Sequence, residues 1–207
     1  MELCSETTKY LLSDRKVSVE SIEHFGVRVF IPDGTIIFPM TDIHNNVVLL
    51  QSRSIRTKSI STITASVLGL ENVEFPKLSE VGAWFGLGTV DWRMPLLIVE
   101  GPIDAMKAYT FGFNNVVASL GATITKKQAD VLCAQAYIIG LDSDKAGEEG
   151  ADRISALLSG EAPMSIVKWN IFSENIKDCG DITDKDMFWK IIENRIPIYG
   201  KKNKKMS

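Results

Sequence analysis

Short apolar runs alternate with amphipathic segments through the C-terminal half of the chain. The apolar runs are typical of buried strands, and the segments between them carry apolar residues at helical spacing. The predicted strands are Leu96–Val99, Val116–Ala118, Tyr137–Leu141 and Ser165–Trp169, and the predicted helices are Ile103–Phe111, Lys126–Cys133, Gly147–Leu158 and Asp184–Glu193. This alternation predicts a parallel sheet flanked by helices, in which ligands bind at the carboxyl ends of the strands.

The N-terminal part has a different pattern of apolar and polar residues. Residues 7–22 are predicted to form helical pieces, with Ser18 as a cap. Short β-like runs then follow, separated by turn residues, and they predict an antiparallel meander that leads to Arg53. These runs are Val27–Ile31, Thr35–Met40 and Val47–Gln51. Residues 54–66 give no clear pattern, and the segment after them is predicted to be a loop with at most a short helix around Glu80–Phe85.

Together these patterns predict the fold class and the domain organisation. We expect an α/β fold, with a mainly parallel sheet flanked by helices preceded by a smaller mixed α/β (α+β) subdomain. The expected units are an N-terminal subdomain at 1–93, a second domain at 94–195 and a basic, disordered tail at 196–207. That tail carries Lys201, Lys202, Lys204 and Lys205, so the rest of the chain is more acidic than its net charge of −3 suggests.

Composition narrows the class of protein. The 207 residues are 45% hydrophobic and 24% charged, which is typical of a globular chain. The apolar runs fall far short of the ~20 residues needed to span a bilayer, and the acidic N-terminus lacks the apolar core of a signal peptide. Three scattered cysteines and two histidines give neither a zinc-site spacing nor a disulfide framework. We therefore expect a cytoplasmic protein with no structural zinc and no membrane partner.

Acidic residues follow three of the predicted strands. They are Glu100 and Asp104 after the first strand, Asp142 and Asp144 after the third, and Asp178 and Asp181 after the fourth. Asp142 and Asp144 are expected to converge, because residues i and i+2 of an extended segment point the same way. Taken singly, each pair is most often a turn or a helix cap. Their order, each at a strand end, favours one shared site instead.

Carboxylates grouped in this way need a cation to offset their repulsion. Several oxygen ligands with no nearby histidine or cysteine suit Mg²⁺ or Mn²⁺ rather than zinc. An acidic protein with such a centre can handle polyphosphate substrates, because the bound cations reverse the local charge.

Three runs resemble the TOPRIM domain, which is shared by bacterial-type (DnaG-like) primases, type IA and type II topoisomerases and some nucleases. They are Glu100-Gly101-Pro102-Ile103-Asp104, Ala118-Ser119-Leu120-Gly121 and Asp142-Ser143-Asp144-Lys145-Ala146-Gly147. The run Lys177-Asp178-Cys179-Gly180-Asp181 is similar to the third primase motif, with Cys179 in place of the usual proline and a spacing one residue longer. Weaker similarity upstream of these motifs extends the resemblance over residues 7–190 and favours the primases over the topoisomerases.

The resemblance implies template-directed joining of ribonucleotides (NTPs) into RNA primers on single-stranded DNA. Two Mg²⁺ ions ~3.5–4 Å apart would activate the attacking 3′-hydroxyl and neutralise the leaving pyrophosphate. It implies that Asp142, Asp144 and either Asp178 or Asp181 bind metal, that Glu100 is a ligand or a general base, and that Asp104 is a ligand or supports one. The expected nucleotide-binding residues are Lys145, Gly101 and Gly121, and the expected DNA-binding residues are Arg53, Arg56 and Lys58.

The chain also departs from the family's usual plan. The zinc-binding domain and the helicase-binding domain that usually flank such a core are not found in this sequence. We therefore expect a minimal core encoded by a phage or a mobile element, active in the host cytoplasm with a separately encoded zinc domain or replicative helicase. Two alternatives stay open: a TOPRIM nuclease that uses the same carboxylates for hydrolysis, and a non-catalytic nucleic-acid-binding module.

Overall fold

The computed structural model describes residues 5–30, 34–64, 76–77, 80–160 and 162–198. Within these residues the chain forms six α-helices, α1 to α6, and ten β-strands, β1 to β10. The helices are Ser5–Thr8, Val19–His24, Pro102–Thr110, Lys126–Asp130, Lys145–Leu157 and Lys185–Glu193. The strands are Arg28–Phe30, Thr35–Thr41, Val47–Ser54, Ile60–Thr62, Trp84–Phe85, Leu96–Val99, Val116–Ala118, Tyr137–Gly140, Met164–Ile166 and Ile196–Ile198. A π-helical turn, Lys9–Asp14, follows α1, and 3₁₀ turns lie at Leu87–Thr89, Trp169–Ile171 and Cys179–Asp181.

The described strands form one mixed sheet. Its order is β10-β9-β8-β6-β7-β5-β2-β3-β4, with β1 paired to β2. The pairs β6–β7, β6–β8 and β8–β9 are parallel, and a helix connects each strand of this group to the next along the chain. The remaining pairs are antiparallel, including the predicted meander of β1, β2 and β3. The predicted α/β fold is therefore confirmed. Among the described strands parallel pairing is confined to β6–β9, and the sheet as a whole is mixed because β5 joins this group to the antiparallel N-terminal strands.

Two hydrophobic cores lie on opposite faces of the parallel strands. Successive side chains of a strand point to opposite faces, so Leu97 and Val99 of β6 enter one core while Leu96 and Ile98 enter the other. The first core also receives residues of α3 and α6 and the N-terminal elements, and the second receives residues of α4 and α5. Both faces of β6 are thus covered, which explains why its four residues are all fully buried.

The structure corrects several predicted elements. The expected short helix at Glu80–Phe85 is wrong, because Trp84–Phe85 forms β5, which joins β7 to β2. The expected strand Ser165–Trp169 is instead β9 at Met164–Ile166, and Trp169 begins a 3₁₀ turn. The helix predicted at Lys126–Cys133 ends at Asp130.

The C-terminal segment is also partly corrected. Residues 196–198, assigned to the disordered tail, pair with β9 as β10, and Ile198 packs against the second core. The four tail lysines and Ile31 lie outside the described residues, and the division at residue 93 stays a prediction. No helix in the described part of the chain is both long enough and apolar enough to cross a bilayer.

Candidate metal centre

The parallel strands bring the first two acidic motifs to one edge of the sheet. Val99, the last residue of β6, pairs with Ala118 of β7 on one side and with Gly140 of β8 on the other. Parallel strands that end in register place the residues after them side by side. Glu100 follows Val99 directly and is partly buried, and the motif of Asp142 follows β8.

The turn after β8 is shaped by Asp144 and Gly147. Asp144 is the N-cap of α5, and its Oδ1 accepts a hydrogen bond of 2.8 Å from the Gly147 N–H. A Cβ on Gly147 would lie 2.0 Å from the carbonyl oxygen of Asp142, so only glycine allows this turn. The helix-cap interpretation of Asp144 is therefore correct, and it leaves the second carboxylate oxygen available for another partner.

The third acidic motif is joined to the second by a backbone hydrogen bond. The Ser143 N–H donates to the Lys177 carbonyl at 2.7 Å. Asp178 and Asp181 then close their own turn: Asp178 Oδ1 accepts from the Asp181 N–H, and Asp181 Oδ2 accepts from the Lys177 N–H, both at 2.9 Å. This turn places Asp178 close enough to Glu100 and Asp142 to raise the pKa of each.

Asp104 is buried, and both of its carboxylate oxygens are already bound. Oδ2 accepts from the Gly101 N–H at 3.0 Å, and Oδ1 accepts from the Gly180 N–H at 2.8 Å. Asp104 is 8% exposed, in the first turn of α3. It thus connects the loop that carries Glu100 to the turn that carries Asp178, which favours a supporting role over direct ligation.

Burial and mutual repulsion raise the pKa values of these carboxyl groups. Burial, followed by the charges of Glu100, Asp178, Asp144 and Asp181, raises the pKa of Asp142 to about 7. Burial and the charges of Asp178 and Asp142 raise the pKa of Asp104 to about 8, against two backbone hydrogen bonds that lower it. Burial also raises the pKa of Glu100 and Asp178. The three acidic motifs thus lie within electrostatic range of one another.

The donor chemistry of this centre suits a hard divalent cation. All of these groups are carboxylates, which repel one another when ionised and supply the oxygen ligands that such a cation prefers. In the ranges that the structure describes, no three His, Cys, Asp or Glu side chains are arranged closely enough to hold a metal ion as they stand. Side-chain rotations would therefore have to accompany binding.

Arg15 is a neighbour of this centre that the sequence did not reveal. An ideal Cβ on Gly180 would lie 2.9 Å from Arg15 Nη2 and 3.1 Å from Asp178 Oδ1, and the charge of Arg15 lowers the pKa of Asp178. The Nε of Arg15 is buried and has no hydrogen-bond partner among the described residues. Its only sequence signal is a basic pair, Arg15-Lys16, at the end of a predicted helical piece.

Some of the other predicted site residues lie in segments next to this centre, and the rest lie on β3 or in the β3–β4 turn. Lys145 is exposed at the start of α5, Gly101 is the N-cap of α3, and Gly121 lies in the loop after β7. Arg53 lies on β3, three positions from β7 in the sheet order, and its Nε is buried with no hydrogen-bond partner in the described chain. Arg56 pairs with Glu6 at 3.2 Å and Lys58 is exposed, both in the β3–β4 turn.

A separate pocket lies at the opposite edge of the parallel strands. It has a volume of about 620 Å³ and is lined by residues that precede β6 and β7, such as Pro95 and Asn115, and by aromatic residues such as Tyr109 and Trp189. The carboxylate centre is not part of it. Asp142 instead lines a small pocket together with residues of α5 and β9.

Comparison with known proteins agrees with this geometry. Residues 97–183 match the family model described as Toprim-like. A DNA primase of Clostridium acetobutylicum is 33% identical over 111 residues, which make up 50% of this chain and 18% of that protein. The chain thus matches less than a fifth of that primase's length.

Two solved structures share the fold. A DnaG primase catalytic domain bound to single-stranded DNA superposes with a TM-score of 0.71 at 17% identity, over 95% of this chain and 74% of that one. The primase fragment of the bacteriophage T7 primase-helicase protein gives a TM-score of 0.68 at 19% identity, over 88% and 72%. Residues 97–183 are therefore similar to a Toprim-like domain, and the chain has the fold of a DnaG-type primase catalytic core.

Proposed function

We propose that this protein is the catalytic core of a DNA primase, which synthesises short RNA primers on single-stranded DNA by metal-dependent nucleotidyl transfer. The observation that carries the proposal is the meeting of Glu100, Asp142 and Asp178, from three separate motifs, in one mutually repelling group. The proposal is supported by a Toprim-like domain at the same residues and by the primase fold around it.

The carboxylates have distinct roles in the proposed reaction. Asp142, Asp144 and Asp178 would hold a divalent cation, Mg²⁺ or Mn²⁺, which supplies charge neutralisation for the triphosphate and for the leaving pyrophosphate. Glu100 is a ligand or the general base for the 3′-hydroxyl, and its raised pKa makes it a stronger base than an ordinary glutamate. Asp181 holds the turn of Asp178 through the Lys177 N–H, and Asp104 supports both loops.

Substrate contacts are assigned to the basic residues. Lys145 is exposed directly after Asp144, where an ammonium group can bind triphosphate oxygens. Gly101 and Gly121 lie in the segments that follow β6 and β7. Arg53, Arg56 and Lys58 are proposed to bind the phosphates of the template strand. The buried Nε of Arg53 without a partner among the described residues supports a role for that guanidinium in binding rather than in an ion pair.

Partners are proposed from the solved structures of similar fold. One of them is bound to single-stranded DNA, and another is a fragment of a primase-helicase protein. We therefore assign single-stranded DNA and NTPs as substrates, and a helicase or a zinc domain as partner, in the cytoplasm. A phage or mobile-element origin stays a prediction.

Primer synthesis on a single-stranded DNA template with NTPs and Mg²⁺ or Mn²⁺ tests the proposal. We expect RNA primers from the wild-type protein, supplied with a helicase and zinc-domain partner where needed, and a loss of at least ~100-fold in Asp142→Asn and Glu100→Gln. Asp152→Asn is the matched control, because Asp152 is an exposed carboxylate on the same helix as Lys145. No primer under any of these conditions, from a folded protein, would contradict the proposal.

The same samples separate the two alternatives. Metal-dependent degradation of DNA or RNA without NTPs, lost in Asp142→Asn, would identify a nuclease that uses the same carboxylates. Binding of single-stranded DNA that both carboxylate variants retain, with neither synthesis nor cleavage, would identify a non-catalytic module.

A further inference from the structure

A lysine is buried beneath the carboxylate centre. Lys107, on α3, is 1% exposed, although an ammonium group loses much hydration energy when it leaves water. Its Nζ donates a hydrogen bond of 2.6 Å to the backbone carbonyl of Arg15, and it lies 5.3 Å from the centroid of the Phe111 ring. No carboxylate within 4 Å pairs with it in the described part of the chain. A methionine of similar length would fill this space without the cost of burying a charge.

The residue that binds Lys107 is Arg15, which reaches the carboxylate centre from the N-terminal segment. Arg15 follows the π-helical turn Lys9–Asp14, and Lys16 after it has a φ of +52°. The backbone therefore turns sharply at Lys16, directly after Arg15. The Arg15 carbonyl meets Lys107, while its guanidinium lies beside Gly180 and within electrostatic range of Asp178. π-Helical turns are rare and are often found at functional sites.

Other contacts bind the same segment to α3 without involving Arg15. Ser21 Oγ donates to the Met106 carbonyl at 2.9 Å, and the Ser18 N–H donates to Thr110 Oγ1 at 2.9 Å. Because these bonds already hold α2 against α3, Lys107 is not needed for docking. What it adds is a fixed position for the Arg15 carbonyl, and through it for the Arg15 side chain.

We propose that Lys107 is a positioning residue, which holds the guanidinium of Arg15 beside Asp178 by binding the backbone carbonyl of Arg15. The inference rests on the proposed function only in that the carboxylate centre binds a divalent cation. In that position Arg15 repels the bound cation, because both carry positive charge, and so lowers the affinity of the centre for metal.

A double-mutant cycle on Mn²⁺ binding tests this proposal in the full chain. Free Mn²⁺ is measured by electron paramagnetic resonance for the wild type, Arg15→Met, Lys107→Met and the double variant. Arg15→Met is expected to tighten Mn²⁺ binding by about threefold, and Lys107→Met to tighten it in the same direction because Arg15 is released. In the Arg15→Met background, Lys107→Met is expected to have less than half of its effect.

The cycle separates positioning from the charge of Lys107 itself. A purely electrostatic effect of Lys107 would give the same fold-change in both backgrounds, and a purely structural residue would give none; either result overturns the proposal. Lys107→Arg, which keeps charge and donors, is expected to bind Mn²⁺ like the wild type. If Lys107→Met does not fold, Lys107→Gln replaces it in the cycle. Failure of the wild type to bind Mn²⁺ refutes the metal centre as well, whereas binding without coupling refutes the positioning role alone.

Discussion

Asp104 accepts a hydrogen bond of 2.8 Å from the backbone N–H of Gly180, a residue 76 positions later in the chain. Its other carboxylate oxygen accepts from the N–H of Gly101. One buried side chain thus fixes the first acidic loop to the third, which is how two motifs remote in sequence come to share a centre.

Removal of this side chain should destabilise the protein. In Asp104→Ala the N–H groups of Gly101 and Gly180 lose their acceptor inside the protein, and each buried unsatisfied group costs about 1–3 kcal/mol. Loss of the buried carboxyl offsets part of this, so we expect the free energy of unfolding to fall by about 2 kcal/mol in urea denaturation. Asp152→Ala, on an exposed carboxylate, should change it by less than about 0.5 kcal/mol. Equal stability of the two variants would show that Asp104 does not hold the loops.

Asp142→Asn should stabilise the metal-free protein at high pH. The folded-state pKa of Asp142, about 7, lies above its ordinary value of 3.8, so its contribution to stability is fully present below 3.8 and is lost as the pH rises through 7. In EDTA at pH 8 we expect the variant to melt about 2–4 °C above the wild type, with no difference near pH 3.5. The expected gain in melting temperature is well below what the full pKa shift would give, because Asp142 is partly exposed to solvent. Thermal melts from pH 3.5 to 8 measure it, and a wild type that is as stable as the variant at pH 8 would contradict the repulsion.

Divalent cations should stabilise the wild-type protein more at pH 8 than at pH 5. The carboxylates must lose their protons to bind metal, and those of Asp142 and Glu100 hold them more tightly than usual. We expect 5 mM Mg²⁺ or Mn²⁺ to raise Tm at pH 8, with little effect at pH 5 or in Glu100→Gln. NaCl at matched ionic strength is the control, and an equal rise with NaCl would argue against a specific site.

Gly147→Ala should disrupt the loop of the second motif. The added Cβ would lie 2.0 Å from the carbonyl oxygen of Asp142, so the backbone must move and Asp142 with it. We expect a loss of about 3 kcal/mol in unfolding free energy and loss of metal-dependent stabilisation. Gly160→Ala is the comparison, since its Cβ meets nothing within 4 Å although its φ of +94° makes it strained. If the two variants cost the same, steric collision at Asp142 is not the cause.

The first two motifs of the acidic centre could be predicted because each directly follows a local signal. Glu100 and Asp142 directly follow apolar runs that are long enough to be recognised as buried strands, and parallel strands bring their carboxyl ends together. β5 gave no such signal, since two residues, Trp84 and Phe85, are too few to show a period. The sheet that joins the N-terminal part to the parallel strands was therefore missed.

The position of Arg15 beside the acidic centre could not be predicted either, but for a different reason. It depends on a long-range contact, the hydrogen bond of Lys107 to the Arg15 carbonyl, 92 positions apart in the chain. The supporting role of Asp104 likewise follows from its two backbone donors, and spacing alone does not distinguish a ligand from a residue that orders the loops.

The most direct test is the location of Mn²⁺ in crystals of the wild-type protein, from its anomalous scattering. The account predicts a peak between Glu100, Asp142, Asp144 and Asp178, with no peak there in crystals of Asp142→Asn. Mn²⁺ bound elsewhere, with that group of carboxylates empty at saturating concentration, would contradict it.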